Sequence, residues 1–278
     1  MAGTLFLVAT PIGNLADITY RAVQTLREVN LIACEDTRHS AKLLQHYQIA
    51  TKTISYHEHN EQSRSKELIQ RLQRGEKIAV ISDAGTPGIN DPGFRVVQAA
   101  IEANISVVSL PGPSALITAL VAAGLPTDEF FFAGFLPAKS GARQARLLEL
   151  SSIQSTLIFY EAPHRLASAL ADARAILGER RAVVARELTK LHEELRRGWL
   201  SELSEHYANE EVRGEIVLLV DKTVVGGTSE KVASVASLVE RFESEGMDHK
   251  AALKKAAREL SLPRAEAYRR LLAERTRT

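Results

Sequence analysis

Cysteine, aromatic residues and long apolar runs are all scarce in this 278-residue sequence. Cys34 is the only cysteine, so no internal disulfide can form, as is typical of proteins from the reducing cytoplasm. Apolar stretches such as VVSLPGPSALITALVAAGL are interrupted by prolines, glycines and serines, which argues against a membrane-spanning helix. The opening MAGTLFLVAT has no basic segment before its short apolar run, which argues against a secretion signal. These features favour a cytoplasmic globular protein.

Net charge is also close to zero, because 35 Lys+Arg balance 34 Asp+Glu in a chain that is 45% hydrophobic. The charge is unevenly distributed. The last thirty residues, 249–278, carry nine basic and three acidic side chains, a net charge of +6 that leaves −5 on the preceding 248 residues. A cationic tail favours a polyanionic partner such as nucleic acid, although a solvated basic helix face has the same pattern.

Nine short apolar runs alternate with helical segments, which predicts an α/β fold. The predicted strands are 4–9, 29–34, 52–56, 77–82, 105–110, 129–135, 155–160, 181–186 and 215–220. The predicted helices are 41–47, 63–73, 92–103, 114–123 and 163–177. Several of these helices are followed by a glycine, which is a common signal for a helix C-terminus.

Two interruptions of this rhythm predict three domains. The turn GLPTDEF separates a first α/β lobe, 1–124, from a second, 125–225. The stretch DKTVVGGTSE has the composition of a linker and opens a basic helical domain, 226–278. In that domain a helix after Asp248 and another beginning at SLPRAEAY match a helix-turn-helix, and a small packing or dimerisation bundle fits the same pattern equally well.

Polar and glycine-rich segments follow seven of the predicted strands. In an open α/β sheet such segments gather at the carboxyl edge, where ligands bind. They are TPIGN (10–14), EDTRHS (35–40), YHEHN (56–60), SDAGTPGINDPG (82–93), PGPSA (111–115), YEAPHR (160–165) and RELTKLHEE (186–194). No GxxxxGK(S/T) is present, which excludes a Walker-type nucleotide site, and TPIGN does not match the GxGxxG of dinucleotide-binding folds.

The segment SDAGTPGINDPG has enough glycine and proline to build a rigid loop, in which Asp83 can accept hydrogen bonds from a ligand. The alternative is a tight connection in which Asp83 caps the next helix. Ser114 in PGPSA offers a hydroxyl, and it can also be a helix N-cap. His57 and His59 lack further ligands at metal-binding spacing, so we expect no metal site. Cys34 is expected in the core.

Seven segments, read in order, carry a closer resemblance to a known family. They are LVATPIGNLADIT, IACEDTRHS, VISDAGTPGINDPG, SLPGPSA, FYEAPHR, ARELTKLHEE and RGEIVLLV. The chain resembles the bacterial small-subunit (16S) ribosomal RNA (cytidine-2′-O)-methyltransferases, of the tetrapyrrole-methylase-like group (class III) of S-adenosylmethionine enzymes, over residues 4–220. The resemblance implies a two-lobed α/β fold with S-adenosyl-L-methionine in the cleft between the lobes, usually in a homodimer. The implied target is the ribose of one cytidine in the decoding region of 16S ribosomal RNA.

The resemblance also implies a set of cofactor-binding residues. The family's first loop corresponds to Thr10, Pro11, Ile12 and Gly13, and its Gly-Asp-Pro loop corresponds to Ser82, Asp83, Ala84, Gly85 and Thr86. A pair of small residues corresponds to Ser114 and Ala115. In the second lobe, Tyr160 and Glu161 match the strand end that flanks the adenine, and Leu188 and Gly214 align further along.

The chemistry of such a reaction indicates which groups to look for. Methyl transfer from a sulfonium to a ribose hydroxyl is an in-line displacement in which the hydroxyl is the weak partner, so a base or a nearby cation would help. The polar candidates are Glu35, Asp36, Arg38, His39, Asn90, Glu161, His164, Arg165, Arg186, Glu187, Lys190 and His192. We expect Lys190 or Arg186 near the oxygen, with Glu187 or Asp36 in support, although each alone fits a structural ion pair or a phosphate contact better.

Two other functions stay open on the sequence. A methyltransferase acting on a tetrapyrrole would share the fold and the cofactor, but TPIGN stands where such enzymes carry GxGxGD, and the cationic tail has no obvious use there. A non-catalytic RNA-binding or assembly factor is disfavoured because the cofactor loops are retained.

Overall fold

The computed structural model describes residues 2–222, 235–244 and 246–259, together with Ala267 and Leu271. The chain divides into two compact units, Met1–Thr223 and Val224–Thr278. The first unit contains two sheets of five strands each. Across the residues that the structure describes, no helix has both the length and the apolar character needed to cross a membrane.

The first sheet is entirely parallel. Its strands are β1 (Thr4–Val8), β2 (Leu31–Cys34), β3 (Thr53–Ser55), β4 (Lys77–Ile81) and β5 (Ser106–Leu110). They lie in the order β3-β2-β4-β1-β5, so β1 and β4 are neighbours near the centre. The carboxyl ends of all five strands therefore point to the same edge, which brings the loops after β1, β2, β4 and β5 together.

Helices cover both faces of this sheet, which explains why its strands are nearly continuous apolar runs. One face packs against α1 (Tyr20–Glu28) and α2 (Thr37–His46), and the other against α3 (Glu61–Gln73) and α4 (Phe94–Glu102). Side chains of β4 alternate between the faces: Ala79 and Ile81 are in the first core, and Ile78 and Val80 are in the second.

The second sheet is mixed. Its strands are β6 (Phe130–Phe135), β7 (Thr156–Glu161), β8 (Arg181–Arg186), β9 (Glu194–Trp199) and β10 (Ile216–Val220). They lie in the order β6-β7-β10-β8-β9, with β6 and β7 parallel and the other pairs antiparallel. One face packs against α5 (Ala115–Ala123), and the other packs against α6 (Ser140–Leu150), α7 (Leu166–Leu177) and α8 (Leu200–Tyr207). Because α5 directly follows β5, it leads the chain from the first sheet onto the second.

The second unit contains α9 (Val235–Ser244) and α10 (His249–Glu259). Asp248 caps α10, since its Oδ1 accepts hydrogen bonds from the backbone N–H groups of Lys250 (2.9 Å) and Ala251 (3.1 Å). Among the described residues of this unit, the buried apolar side chains are Leu238, Val239, Phe242, Ala252, Leu253, Ala256, Ala257, Ala267 and Leu271. The predicted linker beyond Lys222 lies outside the described residues, and so does the predicted helix beginning at Ser261 apart from Ala267 and Leu271.

All nine predicted strands are present, and the predicted α/β class is confirmed. Strand β9 was not predicted, and it begins at Glu194, the last residue of the polar segment that follows β8. Its sequence, ELRRGW, has no apolar run, since β9 pairs with β8 alone at the edge of the sheet and its side chains are partly exposed.

The predicted start of α2 at Ala41 is wrong. The helix begins at Thr37, because the side chain of Asp36 accepts a hydrogen bond from the backbone N–H of Arg38 at 2.8 Å and so acts as the N-cap. Ser40, expected to precede the helix, is buried inside it. Helices α1, α6 and α8 were not predicted at all.

Candidate active site

A cavity of about 340 Å³ lies where the loops of the first sheet meet the second sheet. Its size falls within the range of small-molecule sites. Ten of the fifteen residues implied as cofactor-binding line its wall. They are Ile12, Ala84, Gly85, Thr86, Ser114, Ala115, Tyr160, Glu161, Leu188 and Gly214.

The loops after β1 and β4 are paired directly at the edge of the cavity. The backbone N–H of Thr10 donates to the carbonyl of Gly85 at 2.9 Å, and the N–H of Gly85 donates back to Thr10 at 3.0 Å. The hydroxyl of Thr10 donates to the carbonyl of Ser82 at 3.1 Å. Thr10 and Ser82 are both buried and hold the loops together, while Ile12 reaches the cavity wall. Pro11 and Gly13 do not line the cavity.

Gly85 has a backbone conformation and a position that both favour glycine. Its φ is +81°, which L side chains rarely adopt. A Cβ added there would lie 3.3 Å from Cγ2 of Ile12 and 3.8 Å from the carbonyl oxygen of Pro113. The loop therefore presents bare backbone to the cavity.

Asp83 joins two loops of the first sheet. Its Oδ1 accepts a hydrogen bond from the backbone N–H of Asp36 at 3.2 Å, which ties the loop after β4 to the loop after β2. Asp83 does not line the cavity. The alternative role as a cap of the next helix is wrong, because α4 begins at Phe94 with Gly93 at the N-cap position.

The N-terminus of α5 opens onto the cavity at Ser114. Ser114 occupies the N-cap position, but its hydroxyl makes no capping hydrogen bond. The hydroxyl of Thr86 donates to the carbonyl of Pro113 at 3.1 Å, which holds this segment against the loop after β4. Ser114 is therefore able to donate to a ligand in the cavity.

The end of β7 supplies an aromatic ring and a buried carboxylate. The ring of Tyr160 packs edge to face against Phe132 and Phe135, with centroids 4.9 and 5.7 Å away. Glu161 Oε1 accepts hydrogen bonds from the backbone N–H of Ala162 and from Nε of Arg165, each at 2.8 Å. Glu161 Oε2 is buried and has no hydrogen-bond partner in the described part of the chain. A buried oxygen of this kind costs free energy unless a donor reaches it.

The far wall requires a glycine at position 214. Gly214 has a φ of +92°, and a Cβ there would overlap the carboxylate of Glu187. Oε1 of Glu187 accepts from Nζ of Lys190 at 2.7 Å and from the backbone N–H of Glu215 at 2.9 Å. The hydrogen bond from Lys190 lowers the pKa of Glu187.

The four residues predicted to act in catalysis do not line the cavity. Lys190 lies in ion pairs with Glu187 (2.7 Å) and Glu215 (3.1 Å). Arg186 pairs with Glu194 at 2.9 Å. Asp36 is partly exposed and pairs with Arg38, whose hydrogen bonds lower the pKa of Asp36 to about 2. The proposed roles of these four in the chemistry stay predictions.

Asp91 was not among the predicted site residues, although its neighbour Asn90 was. Asp91 lines the cavity and is partly buried. Burial, together with the negative charges of Glu35 and Asp83, raises the pKa of Asp91 to about 6. The sequence feature that could have indicated Asp91 is its position in the glycine-rich segment 82–93. Other unpredicted wall residues are Ile89, Phe135, Ala162, Pro163, Ala185, Glu215, Ile216 and Val217.

The histidines after β3 make local contacts. The backbone N–H of His57 donates to Oδ1 of Asn60 at 2.9 Å, and Nε2 of His57 lies 3.1 Å from Nδ2 of the same residue. In the described part of the chain, no group of three His, Cys, Asp or Glu side chains is arranged to hold a metal ion. Cys34 is buried, and burial raises the pKa of its thiol.

A family model for "Tetrapyrrole (Corrin/Porphyrin) Methylases" matches residues 4–204. The chain belongs to this family of methyltransferases. Among curated proteins, it is 48% identical over 272 residues to "Ribosomal RNA small subunit methyltransferase I" of Synechocystis sp., with 96% of each chain covered. It is 56% identical over 222 residues to the protein of the same name from Pseudomonas aeruginosa, with 79% of each chain covered.

Solved structures share the fold at low sequence identity. Diphthine synthase superposes with a TM-score of 0.62 at 13% identity, covering 79% of this chain and 90% of that chain. Uroporphyrin-III C-methyl transferase from Thermus thermophilus, complexed with S-adenyl homocysteine, superposes with a TM-score of 0.56 at 17% identity, covering 79% of this chain and 97% of that one. The two-lobed class III methyltransferase fold implied by the sequence is thereby confirmed.

Proposed function

We propose that this protein transfers a methyl group from S-adenosyl-L-methionine to the ribose 2′-oxygen of a cytidine in the decoding region of 16S ribosomal RNA. The observation that carries the proposal is the similarity to ribosomal RNA methyltransferases along nearly the whole chain, including the segment beyond residue 204 where the family model ends. The cavity supplies a place for the cofactor.

The residues around the cavity fit S-adenosyl-L-methionine. The bare backbone of the loop at Gly85 forms a cradle that a side chain would fill, and Ser114 offers an unused hydroxyl. The unpartnered Oε2 of Glu161 can accept a hydrogen bond from an amino group or a ribose hydroxyl group of the cofactor.

When bound, the cofactor supplies a methyl group attached to a positively charged sulfur. The task of the chain is to hold the ribose oxygen in line with that methyl group, to exclude water and to receive the hydroxyl proton. The apolar side chains of Ile12, Leu188 and Val217 in the wall favour water exclusion.

We propose the small ribosomal subunit as the partner, which places the protein in the cytoplasm. Helix α10 supports an RNA contact, because Lys250, Lys254 and Arg258 are exposed and recur at every fourth position on one face. The opposite face packs into the core of the second unit. Phosphate contacts by such a face would position the protein without reading sequence.

We also propose that the protein works as a homodimer. Helix α5 supports this proposal, because it is apolar on both sides. Leu116 and Leu120 are buried against the second sheet, while Ile117 and Val121 are 44% and 70% exposed. An exposed apolar strip on an otherwise buried helix favours contact with a second copy.

The test of the proposed function is genetic. A strain that lacks the gene should lose one ribose methyl group from a cytidine of its 16S ribosomal RNA, and the wild-type gene should restore it. An unchanged set of ribose methylations in the deletion strain contradicts the proposal. Loss of 16S methylation that a variant unable to bind the cofactor restores would favour a non-catalytic assembly role instead.

A further inference from the structure

Three carboxylates line the cavity, and two of them are already committed to ion pairs. Glu161 is buried and accepts hydrogen bonds from Arg165. The side chain of Glu215 is 73% exposed and pairs with Lys190. The ion pairs with Arg165 and Lys190 hold these two carboxylates in fixed positions at the cavity wall.

Asp91, the third carboxylate, has different surroundings. Within the described residues it has no ion-pair partner, and the side chains that face it are acidic or neutral. Glu35 faces it from the end of β2, and Ser82 and Asp83 face it from the end of β4. Tyr160 faces it across the cavity from β7. Burial and the negative charges of Glu35 and Asp83 raise the pKa of Asp91, and the hydrogen bond from Ser82 offsets only part of this effect.

The loop that carries Asp91 is held from two sides. On one side, the buried carboxylate of Glu61 accepts a hydrogen bond from the backbone N–H of Gly93 at 3.5 Å and from the hydroxyl of Tyr56 at 3.1 Å. On the other side, Asn90 has a φ of +62°, and its Oδ1 lies 2.7 Å from where a Cβ at Gly134 would be. These contacts preorganise the position of Asp91.

We propose that the carboxylate of Asp91 is the general base that accepts the proton of the ribose 2′-hydroxyl during methyl transfer. This assignment rests on the proposed function. As the bond between the 2′-oxygen and the methyl carbon forms, the bond between that carbon and sulfur breaks, and its electron pair stays on the sulfur. The hydroxyl proton passes to Asp91. The products are a 2′-methoxy ribose, a neutral thioether and a protonated Asp91, which then releases its proton to solvent.

The titration of Asp91 is matched to this task. Its pKa of about 6 leaves the carboxylate ionised at neutral pH, with far more proton affinity than an ordinary exposed aspartate. Activity should therefore rise as the pH rises through about 6 and stay constant above it. Asp83 and Glu35 do not line the cavity and act on Asp91 through their charge.

The test compares Asp91→Asn with Asp128→Asn, which makes the same change at an exposed carboxylate outside the cavity. The substrates are small ribosomal subunits that lack the methyl group, in single-turnover reactions. We expect Asp91→Asn to lower the rate of methyl transfer about 100-fold or more, and to leave the affinities for the cofactor and for the subunit within about twofold. Asp128→Asn should behave as the wild type. Asp91→Glu, which keeps a carboxylate, should recover part of the rate.

The pH profile separates a base from a merely structural residue. The wild-type rate should fall tenfold per pH unit below about 6, and the residual rate of Asp91→Asn should lack this limb. A rate for Asp91→Asn within about threefold of wild type, or a wild-type profile without the limb, overturns the assignment. If the wild type itself transfers no methyl group to the subunit, the proposed function fails, and the assignment fails with it.

Discussion

The side chain of Lys190 lies directly over Gly13 and so closes the loop after β8 onto the loop after β1. A methyl group at Gly13 would overlap Cγ of Lys190 and would stand 2.9 Å from Oγ1 of Thr189. Gly13 does not have a positive φ. Glycine is therefore favoured here because Lys190 and Thr189 leave no room for a side chain, and not because of the backbone conformation. The same lysine pairs with Glu187 and with Glu215 of the cavity wall.

This contact predicts an energetic coupling between the two residues. Gly13→Ala should lower the free energy of unfolding by about 1 kcal/mol, because the added methyl group displaces Lys190 from its ion pairs. In a Lys190→Ala background, the same substitution should lower the free energy of unfolding by clearly less. Urea unfolding of the four proteins measures the difference, and equal costs in the two backgrounds would show that the loops are independent.

Gly85 and Gly88 provide a matched pair for testing the cofactor site. Their φ angles are nearly the same, +81° and +82°, but a Cβ at Gly85 would lie 3.3 Å from Ile12, whereas a Cβ at Gly88 would have no described atom within 4 Å. Gly85→Leu should abolish cofactor binding, because the side chain fills the cradle. Gly88→Leu carries the same backbone strain and should keep most of the affinity. Titration calorimetry distinguishes them, and wild-type affinity in Gly85→Leu would show that the cofactor binds elsewhere.

Asp91 should reduce the stability of the folded protein at neutral pH. Its pKa in the folded state, about 6, is above the usual 3.8, so the folded state binds more protons between these values and loses stability as the pH rises through them. We expect Asp91→Asn to be about 1 kcal/mol more stable than wild type at pH 8, a value reduced from the full shift because the side chain is only partly buried. The gain should shrink at pH 5. A gain of the same size at both pH values would indicate that the charge of Asp91 is not its source.

The basic face of α10 predicts salt-sensitive RNA binding. Changing Lys250 and Lys254 to Gln should weaken binding to the small subunit and reduce the slope of log K against log salt by about 0.7 to 0.9 per lost contact. The control is the same change at Arg74 and Lys77, which are exposed at the amino edge of the first sheet.

Truncation after Val225 should have a larger effect of the same kind and leave cofactor binding intact. If the truncated protein binds RNA normally but becomes monomeric, the second unit is a dimerisation bundle.

The sequence predicted the strands well and the chemistry unevenly, for identifiable reasons. Buried strands such as β4 and β10 are covered on both faces, so their apolar runs are visible in the sequence. The edge strand β9 is not covered in this way and was missed. The glycines of the cavity wall were predicted only because the family resemblance supplied them. Nothing in the sequence around Gly214 marks it as a site residue.

The prediction of charged groups was poorer, because pairing is a property of the folded state. Lys190, Arg186 and Glu187 lie at or just after the end of β8, as catalytic groups often do, yet all three are engaged in ion pairs. Arg186 pairs with Glu194, and Lys190 pairs with both Glu187 and Glu215. The pKa of Asp91 is raised first by burial and then by the negative charge of Glu35, which is distant in sequence and comes near only in the folded chain. A local sequence pattern does not show which charged groups lie close together in the folded protein.

The most direct test of the whole account follows the methyl group itself. The purified protein is incubated with isotopically labelled S-adenosyl-L-methionine and small ribosomal subunits from a strain that lacks the gene, and the RNA is digested to nucleosides. The account predicts that the label appears in 2′-O-methylcytidine, at one equivalent per subunit at most, and that a tetrapyrrole offered in place of the subunit receives none. Label on a base, label on the tetrapyrrole, or no transfer to the subunit would contradict it.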